Sequence, residues 1–434
     1  MIRILLALIL PLLPLHLSLA QTLEIDPIRG SASALPIAVV TFDYLGVQAA
    51  PDTDLAAVVR ADLNRSGSFS TLPEQDLVEH PIRQADVNFG TWRLLKQDYL
   101  LIGRILDDPG GGYRTEFELF DVARQERMLG LALNGRPGNM RDIAHQIADQ
   151  VYEKILGVRG AFWTRIAYVT AIGSGQGMVY SLMIADADGY NPQTVVRSRE
   201  PLLSPAWSPD GRRLAYVSFE RGASSIYLQE IASGAREVVA SFKGINSAPS
   251  FSPDGGSLAM ALSRTGNPEI YLMDLATRRL SQLTHHWSID TEPRFSSDGR
   301  RVIFTSDRGG KPQLYEIATA GGEAQRITFN GQYNASPTLA PDGRIAMAQG
   351  EGNVYRIAVL DRRYGSSGET RLISAGNLDE SPSFAPNGSM ILYAARENQR
   401  GVLYAVSSDA RVRQRLVLAD GDVREPAWSP FRQR

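Results

Sequence analysis

The feature that most constrains this chain is a segment that returns at an almost constant interval. It reads Pro205-Ala-Trp-Ser-Pro-Asp-Gly211, Pro249-Ser-Phe-Ser-Pro-Asp-Gly255, Pro293-Arg-Phe-Ser-Ser-Asp-Gly299, Pro337-Thr-Leu-Ala-Pro-Asp-Gly343 and Pro382-Ser-Phe-Ala-Pro-Asn-Gly388. A truncated sixth copy is Pro426-Ala-Trp-Ser-Pro430. The leading prolines stand 44, 44, 44, 45 and 44 residues apart. A period of roughly 40–50 residues with strand-like content is that of a propeller blade. Pro-Asp-Gly suits a type I turn, with Pro fixing φ at the second position and Gly accepting the reversal at the fourth. An apolar run follows each turn, such as Leu214-Ala-Tyr-Val217 or Val302-Ile-Phe-Thr305. Runs this continuous suit strands buried on both faces between neighbouring blades. A second strand carries Tyr227, Tyr271, Tyr315, Tyr355 or Tyr404. These rings, with Trp207 and Trp428, are expected to pack between blades.

Counting the copies predicts how the ring closes. The sixth segment has no strands after it. Far upstream, Arg165-Ile-Ala-Tyr-Val-Thr170 matches Arg213-Leu-Ala-Tyr-Val-Ser218 but has no turn segment of its own. Pairing 426–430 with 165–170 completes a sixth blade from both chain ends and removes the free edges.

Residues 35–158 have a different grammar. Pro36-Ile-Ala-Val-Val-Thr-Phe42 and Tyr99-Leu-Leu-Ile-Gly103 read as core strands, with antiparallel strands over 114–122 and 127–133. Helices are predicted over 54–64 and 141–156, the latter from Ile143, Ile147, Val151 and Ile155 stepping every four residues. The expected fold is thus an α+β N-terminal domain followed by an all-β six-bladed propeller. The divisions are a signal peptide at 1–20, a tether at 21–34, the α/β domain at 35–158 and the propeller at 159–434.

The leader has Arg3, an apolar run from Ile4 to Leu15, and Ser18-Leu19-Ala20 before a cleavage site at Ala20-Gln21. Pro11 and Pro14 interrupt the run, which is shorter than the ~20 residues a spanning helix needs. No Cys follows it, which excludes a lipid anchor. Cysteine is absent throughout, so disulfides, thiolate metal sites and Cys nucleophiles are excluded. The formal net charge is -2 with both signs interspersed, which argues against nucleic acid.

Catalytic patterns are missing. A propeller-bearing exported hydrolase is the alternative reading, but its Gly-x-Ser-x-Gly elbow does not occur. Of the five histidines, His16 lies in the leader, and His145 is expected as a surface or boundary residue. His80 stands alone, and the adjacent His285-His286 lacks a third zinc ligand. Asp186-Ala-Asp188-Gly189 lacks the closing Glu of a calcium loop and reads as a hairpin turn. Gly110-Gly-Gly112 lacks the Lys-Ser/Thr of a phosphate loop.

One constellation stands out. Residues just before each repeat proline should form a ring about the propeller axis: Leu203-Ser204, Ser247-Ala248, Thr291-Glu292, Ala335-Ser336, Glu380-Ser381 and Arg424-Glu425. Asp290 and Asp379 stand one residue further back. Such a ring can dock a peptide or loop, or it can merely cap strand ends. No cofactor is expected; a Ca²⁺ ion held by Asp290, Glu292, Asp379, Glu380 and Glu425 is the exception considered.

The order of leader, α/β domain and six blades resembles the TolB family of the periplasmic Tol–Pal system. Gly160-Ala-Phe-Trp-Thr-Arg-Ile-Ala-Tyr-Val169, Ser204-Pro-Ala-Trp-Ser-Pro-Asp-Gly211, Ala385-Pro-Asn-Gly388 and the terminal Pro426-Ala-Trp-Ser-Pro430 carry the likeness across the mature chain. The resemblance implies a monomeric, non-enzymatic scaffold without a small-molecule substrate, supporting outer-membrane constriction and integrity at cell division. It implies the lipoprotein Pal at the channel mouth, over Ile245, Ala248, Thr291, Glu292, Ser336, Glu380 and Glu425. It implies the C-terminal domain of TolA at the tether, Gln21, Thr22, Leu23, Glu24, Ile25 and Asp26, whose acidic-apolar alternation suits strand addition to a partner. Other Tol–Pal or outer-membrane proteins are further candidate partners. The family usually has a polar or aromatic residue where Ile245 stands, so contacts there depart from its pattern.

Overall fold

The computed structural model describes residues 25–27, 34–364, 368–416, 418 and 421–433. The leader, tether residues 21–24 and the stretch 28–33 lie outside the described residues. An N-terminal α+β domain is followed by six four-stranded antiparallel blades.

In the first domain, strand Leu35–Val39 is flanked by Phe69–Thr71 and Tyr99–Asp107, both parallel to it. Tyr113–Asp121 and Glu126–Gly135 extend the sheet antiparallel. Alternation sends Ile37 and Val39 to one face and Ala38 and Val40 to the other. The helices are α1 (Leu55–Arg65), α2 (Phe89–Leu94) and α3 (Met140–Leu156). Leu55, Val59 and Leu63 of α1 and Ile143, Ile147 and Val151 of α3 pack on the first face. Each such burial contributes roughly 1.5–3 kcal/mol. Trp92 of α2 covers the second face. Asp54 caps α1 by accepting the Ala57 N–H at 2.9 Å, and Gly157 ends α3 in the left-handed region, φ 73°.

His145 departs from expectation. It is 1% exposed, because α3 lies against the propeller as well as against α1. Helical spacing reveals the apolar stripe of α3 but not this second buried side.

The first strands of blades one to five are Leu202–Trp207, Asn246–Phe251, Asp290–Phe295, Tyr333–Leu339 and Glu380–Phe384. Each is followed by a Pro-Asp-Gly-type turn. In blade one Gly211 N–H donates to Ser208 O at 2.8 Å, and the Ser208 hydroxyl accepts from Arg213 N–H at 2.9 Å. The outer strand of blade three is short, Gln325–Arg326.

Blade six begins with Asp422–Trp428, which pairs antiparallel with Arg165–Ile172 and closes the ring as the repeat count predicts. Ser429 N–H donates to Arg165 O at 2.8 Å, and the Ser429 hydroxyl accepts from Arg165 N–H at 2.9 Å. The Trp428 indole donates to Thr164 Oγ1 at 2.8 Å, and that of Trp207 to Ala427 O at 3.0 Å. Both indoles are buried, as are Tyr227, Tyr271 and Tyr315, while Tyr355 and Tyr404 are half-buried.

The N-terminal domain sits at the turn end of the ring. Asn387, in the turn of blade five, donates to Arg159 O at 2.9 Å. Arg432 makes a bidentate pair with Asp142 of α3, at 2.7 and 3.0 Å. The start of every first strand therefore points to the opposite end.

Candidate protein-binding face

All six first strands share a local irregularity. In blade one, Leu203 pairs with Val217 and Ala206 with Ala215, so three steps on one strand oppose two on its partner. The same shift recurs in the other five blades. The residue before each repeat proline takes positive φ: Ser204 50°, Ala248 50°, Glu292 55°, Ser336 56°, Ser381 52° and Glu425 54°. Proline disfavours the right-handed helical region for the residue before it and offers no N–H to the ladder, so the extra residue of a β-bulge is accommodated there. A left-handed conformation costs a non-glycine residue roughly 1–2 kcal/mol and persists where neighbouring contacts over-determine it.

Two of those contacts come from the bulges themselves. Glu292 of blade three accepts from Ser336 N–H of blade four at 2.7 Å. It also accepts from the hydroxyls of Ser336 and Thr305, each at 2.7 Å. Glu425 of blade six accepts from Ser204 N–H of blade one at 3.1 Å. Each carboxylate thus caps the bulge of the next blade. Ala248 is buried at its bulge, Thr291 and Ser336 are half-buried, and Glu380 is exposed.

Asp290 and Asp379 do not join this ring. Both are buried: Asp290 accepts from Arg308 at 2.6 Å, and Asp379 from the Ser374 hydroxyl at 2.5 Å and Gly376 N–H at 2.9 Å. Asn246 and Asn334 occupy the equivalent places and bond their own loops in the same manner. In blades two, four and five this position, three before the proline, anchors the entering loop, whereas in blade three Asp290 holds Arg308 beyond the second strand. Of the five acidic residues considered for Ca²⁺, Asp290 and Asp379 are thus buried within their own blades, Glu292 and Glu425 cap bulges, and Glu380 is exposed. Among the described residues, the Asp, Glu and His group within common ligating distance is instead Asp62, His145 and Asp188, far from the channel mouth.

The entering loops carry what the sequence reading missed. Trp287 is 81% exposed and Phe329 59%, and Ile289 and Leu378 stand out from the same loop set, beside the expected Ile245. Ile245, Ile289, Tyr333 and Leu378 all lie four residues before a repeat proline, a register that was legible once the repeats were aligned. Large apolar side chains clustered on one face mark an interaction surface.

Inside this apolar rim the mouth is charged. Burial, then Glu380 and Glu292, raise the Glu425 carboxyl above the usual carboxylate range. Burial lowers the guanidinium of Arg294, against the pull of Glu292 and Glu425. The Tyr333 hydroxyl is pushed up to about 12 by burial, with Glu292, Tyr355 and Glu380 adding to it. Glu292, Glu380 and Glu425 thus form one electrostatic cluster, joined by Arg294 and Tyr333, which the sequence did not single out.

Of the six tether residues, Ile25 and Asp26 are described. Strand Ile25–Pro27 adds antiparallel to Val412–Leu416, the outer strand of blade five, with Ile25 opposite Gln414 and Asp26 opposite Arg413. A Cβ on Gly67, just past α1, would lie 2.6 Å from Val412 Cγ2, so the docking strand touches the domain junction.

Comparison with known proteins agrees with this architecture. Residues 23–128 match the TolB amino-terminal domain, and residues 152–432 the TolB beta propeller domain. The chain is 68% identical over 433 residues to the Tol-Pal system protein TolB of Xanthomonas oryzae pv. oryzae (strain PXO99A), spanning 99% of this chain and 98% of that one. It is 67% identical, with the same coverage, to that of Xanthomonas campestris pv. campestris (strain B100). The crystal structure of TolB from Acinetobacter baumannii superposes with a TM-score of 0.85 at 41% identity, over 94% of this chain and 100% of that one. The chain belongs to the TolB family, and its place is that of a scaffold in the Tol–Pal system.

Proposed function

We propose that this scaffold works in the periplasm by binding rather than catalysis, holding Pal at the propeller mouth and the C-terminal domain of TolA at its tether. The observation that carries the first half is the rim of Ile245, Trp287, Ile289, Phe329 and Leu378 around the carboxylates of Glu292, Glu380 and Glu425. Apolar anchors beside a charged centre are the composition of a protein-binding patch. Trp287 is the expected hot spot. Calorimetry with purified Pal should show Trp287→Ala weakening binding by about 2 kcal/mol, roughly 30-fold, with melting unchanged. Wild-type affinity in that variant would put Pal on another surface.

The strand pairing of Ile25–Pro27 supports the second half. A segment that adds to one sheet edge can add to another, so TolA competes with blade five for the same backbone groups. Ca²⁺ in the channel stays a proposal of lower rank. Titration without any change in melting temperature would count against it.

A further inference from the structure

At the junction of the two domains lies a buried cluster that neither partner site uses. His145 of α3 and Asp62 of α1 are each 1% exposed, and the imidazole Nδ1 lies 2.6 Å from Asp62 Oδ2. On its other side, Nε2 faces Asp188 Oδ2 at 3.9 Å, in the 187–190 turn of blade six. Arg65 of α1 pairs with Asp62 at 3.0 Å, and Arg141 of α3 pairs with Asp188 and stacks on Tyr190 at 3.7 Å. Asp186 of blade six is 4.0 Å from Arg141. Asp149, one turn along α3 from His145, accepts from Phe162 N–H at 2.8 Å, where the chain enters the propeller. Arg65 and Arg141 already occupy the two carboxylates, so the group is an ion-pair cluster rather than a metal centre.

We propose that this junction is a proton-dependent latch: the imidazolium of His145 holds the N-terminal domain to Asp188 of blade six, and loss of its proton loosens the hold. The Asp62 contact lies within one domain and survives separation. The Asp188 contact crosses the junction and is lost. With His145 charged, three cations (His145, Arg65, Arg141) face Asp62, Asp186, Asp188 and the Asp149 carboxylate that ionises at about 6; with it neutral, the buried group's excess of negative charge doubles from one to two.

The electrostatics point the same way. Burial alone would lower the imidazole, but Asp62 and Asp188 outweigh it and raise it above its ordinary value, with Arg65 opposing. Burial also works against the Asp188 carboxylate, yet His145, Arg65 and Arg141 hold it at about 2. The part of the imidazole's raise that Asp188 supplies stabilises the closed junction at low pH, where His145 is charged whether the junction is closed or open, and it disappears as pH rises through the closed value. Burial lifts Asp149 to about 6 and raises Asp186 too. Ionising Asp149 also weakens the junction, but that change is largely complete by about pH 6. Loosening above pH 6.5 therefore belongs to His145.

The test uses the full mature chain. NMR titration follows the His145 imidazole, and hydrogen exchange, corrected for intrinsic rates, follows α3 and the 187–190 turn between pH 6.5 and 8.5. The expected result is a His145 midpoint above 6.5 and an opening constant that rises with pH, about tenfold for each unit by which Asp188 raises that midpoint. His145→Gln should make opening flat across that window. Asp188→Asn, which spares the contacts inside the N-terminal domain, should lower the His145 midpoint and shrink the pH dependence. A midpoint at or below 6.5 overturns the latch, as does an Asp188→Asn midpoint equal to wild type. If His145→Gln does not fold, Asp188→Asn decides alone.

Discussion

Replacing Glu292 by Ala tests whether the channel ring is a structural clamp before it is a contact surface. The carboxylate accepts three hydrogen bonds of 2.7 Å, and two of them cross to blade four. A hydrogen bond to a charged acceptor is worth roughly 1.5–3 kcal/mol, and the three share one carboxylate in a half-exposed site where water replaces part of what is lost. Taking about 1 kcal/mol for each under those conditions gives a loss of about 3 kcal/mol. For a domain of this size that is a fall of about 5 °C in melting temperature. Glu292→Gln keeps an acceptor oxygen and loses the charge, so about 1 kcal/mol is expected. Glu425→Ala removes a single bond at 3.1 Å and should lie below Glu292→Ala. Thermal melting of the three variants ranks them, and Pal calorimetry on the folded proteins separates clamp from contact. Should Glu292→Ala melt within about 1 °C of wild type, the inter-blade clamp is wrong. Should it melt early yet bind Pal unchanged, Glu292 is clamp alone.

Three further outcomes are expected. Removing 425–434 takes away Trp428, the Ser429 bonds and the Arg432–Asp142 pair, so the ring should lose cooperative melting; a melt like the full chain would refute closure. Glu425→Gln should raise stability at neutral pH, because its folded carboxyl is raised and ionising it there is unfavourable; the gain should vanish below about pH 4.5, where both states are protonated, and melting curves at pH 4 and 7 check this. Deleting 21–26 should abolish TolA binding while Pal still binds. If Pal favours the docked strand, full-length TolA affinity should fall about 5–150-fold with saturating Pal, and equal calorimetric affinities would leave two independent sites.

Much of this molecule was legible in its sequence because the decisive signals are local. A Pro-Asp-Gly turn followed by an apolar run is chemistry among neighbours, and repeating it at a constant interval dictates blades. The unmatched run at 165–170 and the unfinished segment at 426–430 were enough to predict closure. The tertiary structure decided which side chains meet. Asp290 and Glu292 are two residues apart and read as one acidic patch. The bulge before the proline gives one to a buried pair with Arg308 and the other to the neighbouring blade. Trp287 and Phe329 stand in separate loops, and only ring closure brings them around one mouth. The spacing of α3 revealed the stripe facing its own sheet, whereas His145 is buried by an element 43 positions away at Asp188. Periodicity records the environment a segment makes for itself; burial and charge pairing between distant segments depend on where the chain brings them in space.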